Sequence, residues 1–378
     1  MPGWGKKQAR LEAPRGADGK MCAMRRAMQV GLILVAAVAA IAPIPAPIVE
    51  ATFSTRVYPA IQHTITPLAN LVPFAWFDVI VVAVIAGVVW LLVRAWRDAR
   101  RVRRWAPALH RLWGLAVAAA ALYVVFLLLW GLNYRRVPMT ARLLLDRTAP
   151  TREAVNALGR QAAMQMNMLY ARAHALGWAG DEWHDASLIR SFTDVQQMLE
   201  DTPAVVPGRL KWTIFGPYFR WTGVDGMVDP YALEVLANPD LLPWERPFVA
   251  AHEWSHLAGF ADESEANFVG WLACVRGDAA AQYSGWLYLF WEVSGEVSGR
   301  DRGAMLASLD AGPRSDVTAI AERLRRGQLP LLRTVSWAMY DQYLRANRVD
   351  EGIRSYGEVV TLILRARFEE GFRPVRRH

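Results

Sequence analysis

The chain has 378 residues, 53% of them hydrophobic, and a formal net charge of +8. The charge is unevenly placed: residues before 134 carry 15 Lys and Arg against 5 Asp and Glu, and the remainder carries 28 against 30. The larger C-terminal part is therefore slightly acidic and offers no basic domain, which excludes nucleic-acid binding of the usual electrostatic kind.

Three apolar segments near the N-terminus predict membrane-spanning helices. They cover about residues 30–49, 74–93 and 112–132, each close to the length that a bilayer requires. The first segment also resembles a signal peptide, because a basic region precedes it and small residues lie at positions 42–46. That basic region is long and prolines lie at the end of the apolar run, so we favour an uncleaved span.

The positions of the arginines predict the orientation of these spans. The N-terminal tail and the loop between the second and third segments are rich in Lys and Arg, so both are expected in the cytoplasm. The loop between the first and second segments holds one arginine and is expected outside. The predicted parts are a basic cytoplasmic tail (1–27), a three-span membrane anchor (28–133) and an extracytoplasmic domain (134–378).

The first part of the domain after residue 134 combines predicted helices with one β segment. Residues 151–176 and 186–199 have helical patterns. Between residues 212 and 238, Tyr231, Leu233 and Val235 alternate with other residue types, which is typical of a strand. An edge strand can bind an extended peptide by strand addition, so this segment is a candidate wall for such a peptide. A plain structural hairpin is the alternative.

The most specific feature of the chain is His252-Glu253-Trp254-Ser255-His256, which has the HExxH pattern of zinc peptidases. Residues four apart on a helix share a face and lie about 6 Å apart along the axis, so both imidazoles can reach one ion. Glu253 lies beside that face, where its carboxylate can act as a general base on a metal-bound water. Flanking Pro and Gly predict a helix from about Glu245 to Ala258. Two capping or core histidines are the structural alternative.

A zinc site that keeps one position open for water needs a third protein ligand. Asp262, Glu263 and Glu265 all follow His256 within nine residues. Asp262 is a good N-cap for a second helix, although some HExxH peptidases have their third ligand at this spacing. Glu265 lies about 200° around that helix from Glu263 and completes a capping box with Asp262. We therefore expect Glu263 to be the third ligand, with Glu265 as the alternative and Asp262 as an outside candidate.

Further helices are expected at 282–291, 315–326, 331–347 and 352–369. The first of these is aromatic but too short to span a bilayer, so we expect a core or interfacial helix. The two cysteines, Cys22 and Cys274, are expected on opposite sides of the membrane and therefore form no disulfide. Cys274 has no metal-ligand spacing and is expected to be a buried apolar residue.

Five stretches of the chain occur in the order found in one protein family: Trp130–Arg135, His252–Gly259, Glu263–Phe268, Tyr340–Leu344 and Ser355–Val360. Together they resemble a bacterial family of multi-pass membrane proteins catalogued as a domain of unknown function. The resemblance implies a mainly α protein of the bacterial inner membrane, in which three membrane helices precede a mostly helical, zincin-like (gluzincin-type) α+β domain with a small edge sheet.

The resemblance also bears on three further side chains. The pattern is similar to zincins whose third ligand is a Glu that starts an ExxxD helix, and Asn267 stands where those proteins have Asp. Asn267 shares a face with Glu263, so we expect it to orient a ligand histidine. The family stretch near residue 340 makes Tyr340 and Tyr343 candidate donors to an oxyanion, although tyrosines on a helix more often belong to the core.

The favoured hypothesis is a zinc-dependent peptidase or related amide hydrolase that binds one Zn²⁺ ion through His252, His256 and Glu263 and uses Glu253 as general base. Its expected partners are the lipid bilayer and a peptide or protein substrate, and its oligomeric state is left open. A non-catalytic metal-binding scaffold of the cell envelope is the alternative. A transporter is a weaker one, because Asp78 is the only acidic residue within the three apolar segments.

Overall fold

A computed structural model describes residues 15–102, 106–178, 185–349 and 358–377. Within these ranges the chain is mostly helical with small sheets, which confirms the prediction of a mainly α protein. The chain divides into two compact units. The smaller unit comprises Met1–Pro43 and Val84–Phe126, and the larger unit comprises Ile44–Ala83 and Leu127–His378.

Three helices of the N-terminal region are long and apolar enough to cross a membrane, as predicted, with apolar stretches at Lys20–Ile41, Trp76–Arg101 and Leu109–Leu129. The first ends earlier than predicted, because the prolines that follow it cannot continue a helical hydrogen-bond ladder. The segment between the first two, treated above as a loop, is helical. The elements of this region are α1 (Arg15–Ile41), α2 (Ala46–Val49), a π-helical segment (Glu50–Val57), α3 (Tyr58–Asn70), α4 (Trp76–Val102) and α5 (Ala106–Leu129).

The rest of the larger unit consists mainly of helices joined by short connections. Many of these helices begin at a capping side chain. Thr151, Asp185, Asp262, Asp278 and Ser298 each accept a hydrogen bond from a first-turn N–H of the helix that follows. A 3-10 turn (Gly131–Arg135) precedes α6 (Met139–Arg142), α7 (Arg152–Leu176), α8 (Ala186–Leu199), α9 (Gly216–Thr222), α10 (Arg246–Leu257), α11 (Glu263–Val275), α12 (Ala279–Glu296), α13 (Gly299–Ala307), α14 (Ala311–Gly327), α15 (Pro330–Ala346) and α16 (Glu358–Arg365).

The C-terminal end of the chain departs from the predicted helix at 352–369. Residues 352–357 lie outside the described residues, and the described part ends as a helix at Arg365. A two-stranded antiparallel sheet follows, formed by β4 (Phe368–Glu369) and β5 (Arg373–Pro374). The turn between these strands contains Gly371 with a φ of 73°, a conformation that glycine adopts without strain.

The predicted β segment forms a three-stranded sheet with the order β1-β3-β2. The strands are β1 (Leu210–Lys211), β2 (Gly226–Asp229) and β3 (Glu234–Ala237), with β3 parallel to β1 and antiparallel to β2. The strand that directly precedes the HExxH helix is therefore the central one, and the two edge strands are β1 and β2. Of these, β2 packs against the HExxH helix and is called the edge strand below. Tyr231 and Leu233, predicted to alternate within a strand, lie in the turn, and Leu233 has a φ of 46°.

The two helices that carry the HExxH motif and the following carboxylates form the centre of the larger unit. Every residue of α11 is buried, as are most residues of α10. A helix that is buried on all sides shows no amphipathic pattern. The two helices pack closely at Gly270, where a Cβ atom would lie 2.9 Å from the backbone nitrogen of His252.

The segment from Glu50 to Asn70 packs against the rest of the larger unit. The contacts are made by a polar stripe, which has one residue at every fourth position. Ser54, Tyr58, Gln62 and Thr66 in this stripe are almost fully buried. Each makes a hydrogen bond to a distant part of the unit: Ser54 to Asn133, Tyr58 to Leu257, Gln62 to Val206 and Thr66 to Leu233. Asn70 at the end of the stripe bonds to Pro207 and Arg209.

A buried ion pair joins the sheet to this segment. The Lys211 ammonium lies 2.7 Å from Glu234 Oε2 and donates to the carbonyl of Ala69 at 2.6 Å, and both charged side chains are fully buried. The other oxygen of Glu234 accepts from the backbone N–H of Phe77. The pair therefore fixes β1 and β3 to the end of α3 and to the start of α4.

We expect Lys211→Met to lower the free energy of unfolding by about 3–5 kcal/mol, because the change leaves the Glu234 carboxylate buried and unpaired. The matched control is Arg152→Met, which removes a pair with Asp301 in which the arginine side chain is 64% exposed; exposed pairs contribute little, so this change should cost much less stability. Denaturant unfolding of the purified protein in detergent measures both. Equal losses in the two variants would contradict the structural role of the buried pair.

Candidate metal centre

Three side chains predicted as metal ligands lie together at the meeting point of α10 and α11. The Nε2 atoms of His252 and His256 are 3.1 Å apart, and each lies 3.4 Å from Oε2 of Glu263. This set is the one group of His, Cys, Asp and Glu residues in the described part of the chain whose ligand atoms are close enough for a shared ion. Two imidazole nitrogens and one carboxylate oxygen are a donor set typical of catalytic zinc.

The spacing of these three atoms fits an ion of zinc size. Ligand atoms at tetrahedral positions 2.0–2.1 Å from zinc lie about 3.3 Å from one another. The observed separations of 3.1, 3.4 and 3.4 Å match this value without any movement of the helices. The residues present therefore fit a zinc ion.

The charges of the cluster are also those of a cation site. Burial alone would lower the pKa of His256, but the charge of Glu263 and its hydrogen bond outweigh burial and raise that pKa to about 9. Burial would raise the pKa of Glu263, but the two histidines hold it well below its usual value. A proton thus supplies the positive charge that a divalent ion would otherwise provide at this position.

Neighbouring groups fix the orientation of two of the three side chains. The Nδ1 atom of His256 lies 2.8 Å from the carbonyl oxygen of Phe260, which leaves Nε2 facing the other ligand atoms. The hydroxyl of Tyr340 donates to Oε1 of Glu263 at 2.5 Å, so Oε2 of that carboxylate faces the histidines. Tyr340, predicted as an oxyanion donor, therefore contacts a ligand side chain in this structure.

The sequence predicts a supporting role for Asn267, and the structure places this residue in the cavity beside His252. Both residues line that cavity, and Asn267 is buried. Nδ2 of Asn267 and Nδ1 of His252 are buried without a hydrogen-bond partner in the described part of the chain. His256 is thus oriented by Phe260, and no hydrogen bond from Asn267 orients His252.

The other two carboxylates of this region point elsewhere. Asp262 accepts hydrogen bonds from the backbone N–H groups of Ser264 and Glu265, so it caps α11. Glu265 accepts a hydrogen bond from the backbone N–H of Met139. Burial, assisted by the charge of Asp262, raises the pKa of Glu265 to about 7. Neither residue belongs to the cluster formed by Glu263 and the two histidines.

Glu253 lies next to the cluster and against the edge strand. Burial raises its pKa to about 7, with the charges of Glu263 and Asp225 adding to the effect and the two histidines opposing it. A Cβ atom at Gly226 of β2 would lie 2.4 Å from Oε1 of Glu253, so only glycine leaves room for this carboxylate. Oε2 of Glu253 is buried and has no hydrogen-bond partner in the described residues.

Two cavities meet at His252 and Glu253. One, of about 470 Å³, has an aromatic wall formed by Trp130, Tyr134, Tyr218, Trp337, Tyr340 and Tyr343. The other, of about 250 Å³, is lined by apolar residues and by Asp225, Glu245, Glu292 and Arg323. Gly226 of β2 borders both cavities. A bound molecule lying along β2 would therefore pass the cluster of His252, His256 and Glu263, called the ligand cluster below. Tyr343, the other predicted oxyanion donor, lines the larger cavity.

Side chains for which the sequence predicts no function hold the end of the HExxH helix. Trp130 donates to the carbonyl of His256 at 3.0 Å, Tyr58 donates to the carbonyl of Leu257 at 2.7 Å, and Arg136 donates to the carbonyl of Gly259 at 3.1 Å. Trp130 is part of a family stretch, which is the only sequence signal that marks it. No local pattern points to Tyr58, because its partner is 199 positions away.

Two glutamates on α11 provide a matched test of the ligand set. We expect Glu263→Gln to weaken zinc binding by more than about 100-fold. This loss is larger than the loss expected from changing a residue that only orients a ligand. Glu265→Gln should bind zinc normally, since an amide oxygen can still accept from Met139. Zinc titration of metal-depleted protein, with competing chelators, measures both. Normal binding by the Glu263 variant would exclude this residue as a ligand.

The comparisons with known proteins agree with the family resemblance. The chain matches the family model described as Protein of unknown function (DUF3810) over residues 53–364. This range includes two of the three apolar helices and every residue of the ligand cluster. No curated protein and no solved structure matches the chain. Because the matched range covers most of its length, the protein belongs to this family of unknown function.

Proposed function

We propose that this protein is a membrane-anchored, zincin-like zinc metallopeptidase. The observation that carries the proposal is the spacing of His252 Nε2, His256 Nε2 and Glu263 Oε2, which matches three corners of a tetrahedron around zinc. A carboxylate that is not part of the cluster, Glu253, lies beside it in a buried cleft. This combination of three ligands and one neighbouring base is the minimum for metal-assisted hydrolysis.

Zn²⁺, when bound, would polarise the substrate carbonyl and lower the pKa of a water molecule. Glu253, whose Oε2 is buried without a hydrogen-bond partner in the described residues, would take the proton from that water and pass it to the leaving amine. Tyr340 would keep Glu263 oriented as a ligand. Tyr343, whose hydroxyl is ordinarily protonated at this pH, is the candidate donor to the oxyanion.

The edge strand supports a peptide as the substrate. Among the described residues β2 pairs with β3 and with no other strand, so a further strand would add at its other backbone edge. An extended peptide can bind such an edge by strand addition, which places its backbone at a fixed height along the cleft. Met227 and Val228 of this strand line the aromatic cavity, which suits apolar substrate side chains.

We expect Glu253→Gln to bind zinc as the unmodified protein does and to lose at least about 100-fold in kcat/KM, because the general base is removed while the ligands stay. Cleavage of a fluorogenic peptide library by the full-length protein in detergent measures the loss. The control is Glu292→Gln, which changes a carboxylate in the adjoining cavity. Unchanged turnover in the Glu253 variant would refute the mechanism, and zinc binding without turnover in the unmodified protein would favour the non-catalytic scaffold.

The close contact between Gly226 and Glu253 gives a second test. Gly226→Ala should displace the Glu253 carboxylate, because the added methyl group would occupy its position. We expect zinc affinity to change little and kcat to fall by about 10-fold or more. This fall is part of the rate enhancement of about 10²–10⁴-fold that general-base catalysis contributes. Gly303→Ala on α13, where an added Cβ atom meets nothing within 4 Å, is the control. Full activity in the Gly226→Ala variant would show that Glu253 acts as the general base even when its carboxylate is displaced.

A further inference from the structure

The outward face of residues 46–70 is apolar, in contrast to the buried polar stripe described above. Ile48, Val57 and Leu68 are 53%, 51% and 60% exposed on this face. A surface helix of a water-soluble protein has the opposite arrangement, with its apolar side buried and its polar side in solvent. The outward face of this segment therefore fits an apolar environment better than water.

The polar side chains on the same outward face satisfy themselves within the helix. The hydroxyls of Thr52 and Thr64 donate to the carbonyls of Ile48 and Ala60, four residues back, at 2.6 and 2.8 Å. Nδ1 of His63 lies 2.8 Å from the carbonyl of Pro59. Arg56 is the one charged residue on the exposed part of this segment. Such internal pairing lowers the cost of placing a hydroxyl or imidazole outside water.

The chain itself ties this segment to the membrane at both ends. α1, the first apolar helix, ends at Ile41 and α2 begins at Ala46. α3 ends at Asn70 and α4, the second apolar helix, begins at Trp76. The exposed aromatic side chains of Phe74 and Trp76 lie at this junction, where membrane helices commonly carry aromatic residues at the level of the lipid headgroups.

We propose that residues 46–70 form an interfacial helix, which rests its outward face on the bilayer and holds the larger unit through its inward polar stripe. An interfacial helix buries its apolar face at the boundary between headgroups and acyl chains. Lipid is the one occupant that accounts for both the exposed apolar side chains and the internally paired hydroxyls. The attachment to two apolar helices keeps the segment at the membrane surface.

This arrangement places the ligand cluster close to the lipid. Tyr58, a member of the polar stripe, bonds to the carbonyl of Leu257, the last residue of the HExxH helix. One layer of side chains therefore separates the lipid-facing helix from the helix that carries both histidines. If the protein is the peptidase proposed above, on which this consequence rests, it cleaves its substrates close to the bilayer surface.

The test measures the surroundings of the helix in full-length protein reconstituted in phospholipid nanodiscs. Single cysteines are introduced at Val57 and Leu68 in a Cys22→Ser background and are spin-labelled, while the buried Cys274 stays unlabelled. Val89→Cys on α4 provides the lipid reference, and Glu322→Cys on α14, whose native side chain is 41% exposed, provides the water reference. Collision rates with oxygen and with a water-soluble nickel chelate are compared at each site.

We expect the labels at 57 and 68 to collide more with oxygen than with the nickel chelate, as at 89, and the label at 322 to show the reverse. Nickel accessibility at 57 and 68 equal to that at 322 would overturn the proposal. Protection from both reagents would also overturn it, since the face would then be covered by protein. The measurement needs no catalytic turnover, so its outcome is independent of the Glu253 test.

Discussion

The last carbonyl groups of α10 impose the constraint on which the rest of the structure depends. A helix that ends inside a protein leaves carbonyl oxygens without intrahelical partners, and these oxygens require donors. Trp130 and Tyr58 supply donors to His256 and Leu257 at the end of α10, and Arg136 donates to the carbonyl of Gly259, two residues beyond the helix. Because these donors come from the segments that adjoin the apolar helices, the parts of the chain nearest the membrane are also parts of the site. The HExxH helix thus cannot be positioned without them.

Buried charge in the larger unit is balanced in two different ways. Arg136 pairs with Glu50 and Glu200 at 2.7 Å each and Arg142 pairs with Glu200 at 2.8 Å, so two permanent cations neutralise these two carboxylates. Glu263 and Glu265 lie on the same helix but face different surroundings. Two imidazoles lower the pKa of Glu263, whereas burial raises the pKa of Glu265 and the charges of Arg142 and Arg136 only partly oppose it. The difference follows from the 200° between them on the helix and explains why one carboxylate suits a metal and the other suits a backbone donor.

Local patterns in the sequence predict correctly that His252, His256 and Glu263 lie together, and they predict the surroundings of these residues poorly. The four-residue spacing of His252 and His256 and the capping role of Asp262 are sufficient to place Glu263 beside the histidines. The edge strand is misplaced, because alternation at residues 231–235 does not show that the chain turns at Leu233. The helix at 46–70 is missed, since its polar residues are buried and its apolar ones exposed. The contacts that bury these polar residues have partners far away in the sequence, so no local rule predicts them.

The central claim is that His252, His256 and Glu263 hold one metal ion, and zinc-edge X-ray absorption of the purified full-length protein tests it most directly. The account predicts one zinc per chain with two imidazole nitrogens at about 2.0–2.1 Å and oxygen ligands at about 2.0–2.2 Å. The imidazole rings should be recognisable from the scattering of their outer atoms. A metal-free protein, or zinc bound by oxygen alone, would contradict the claim.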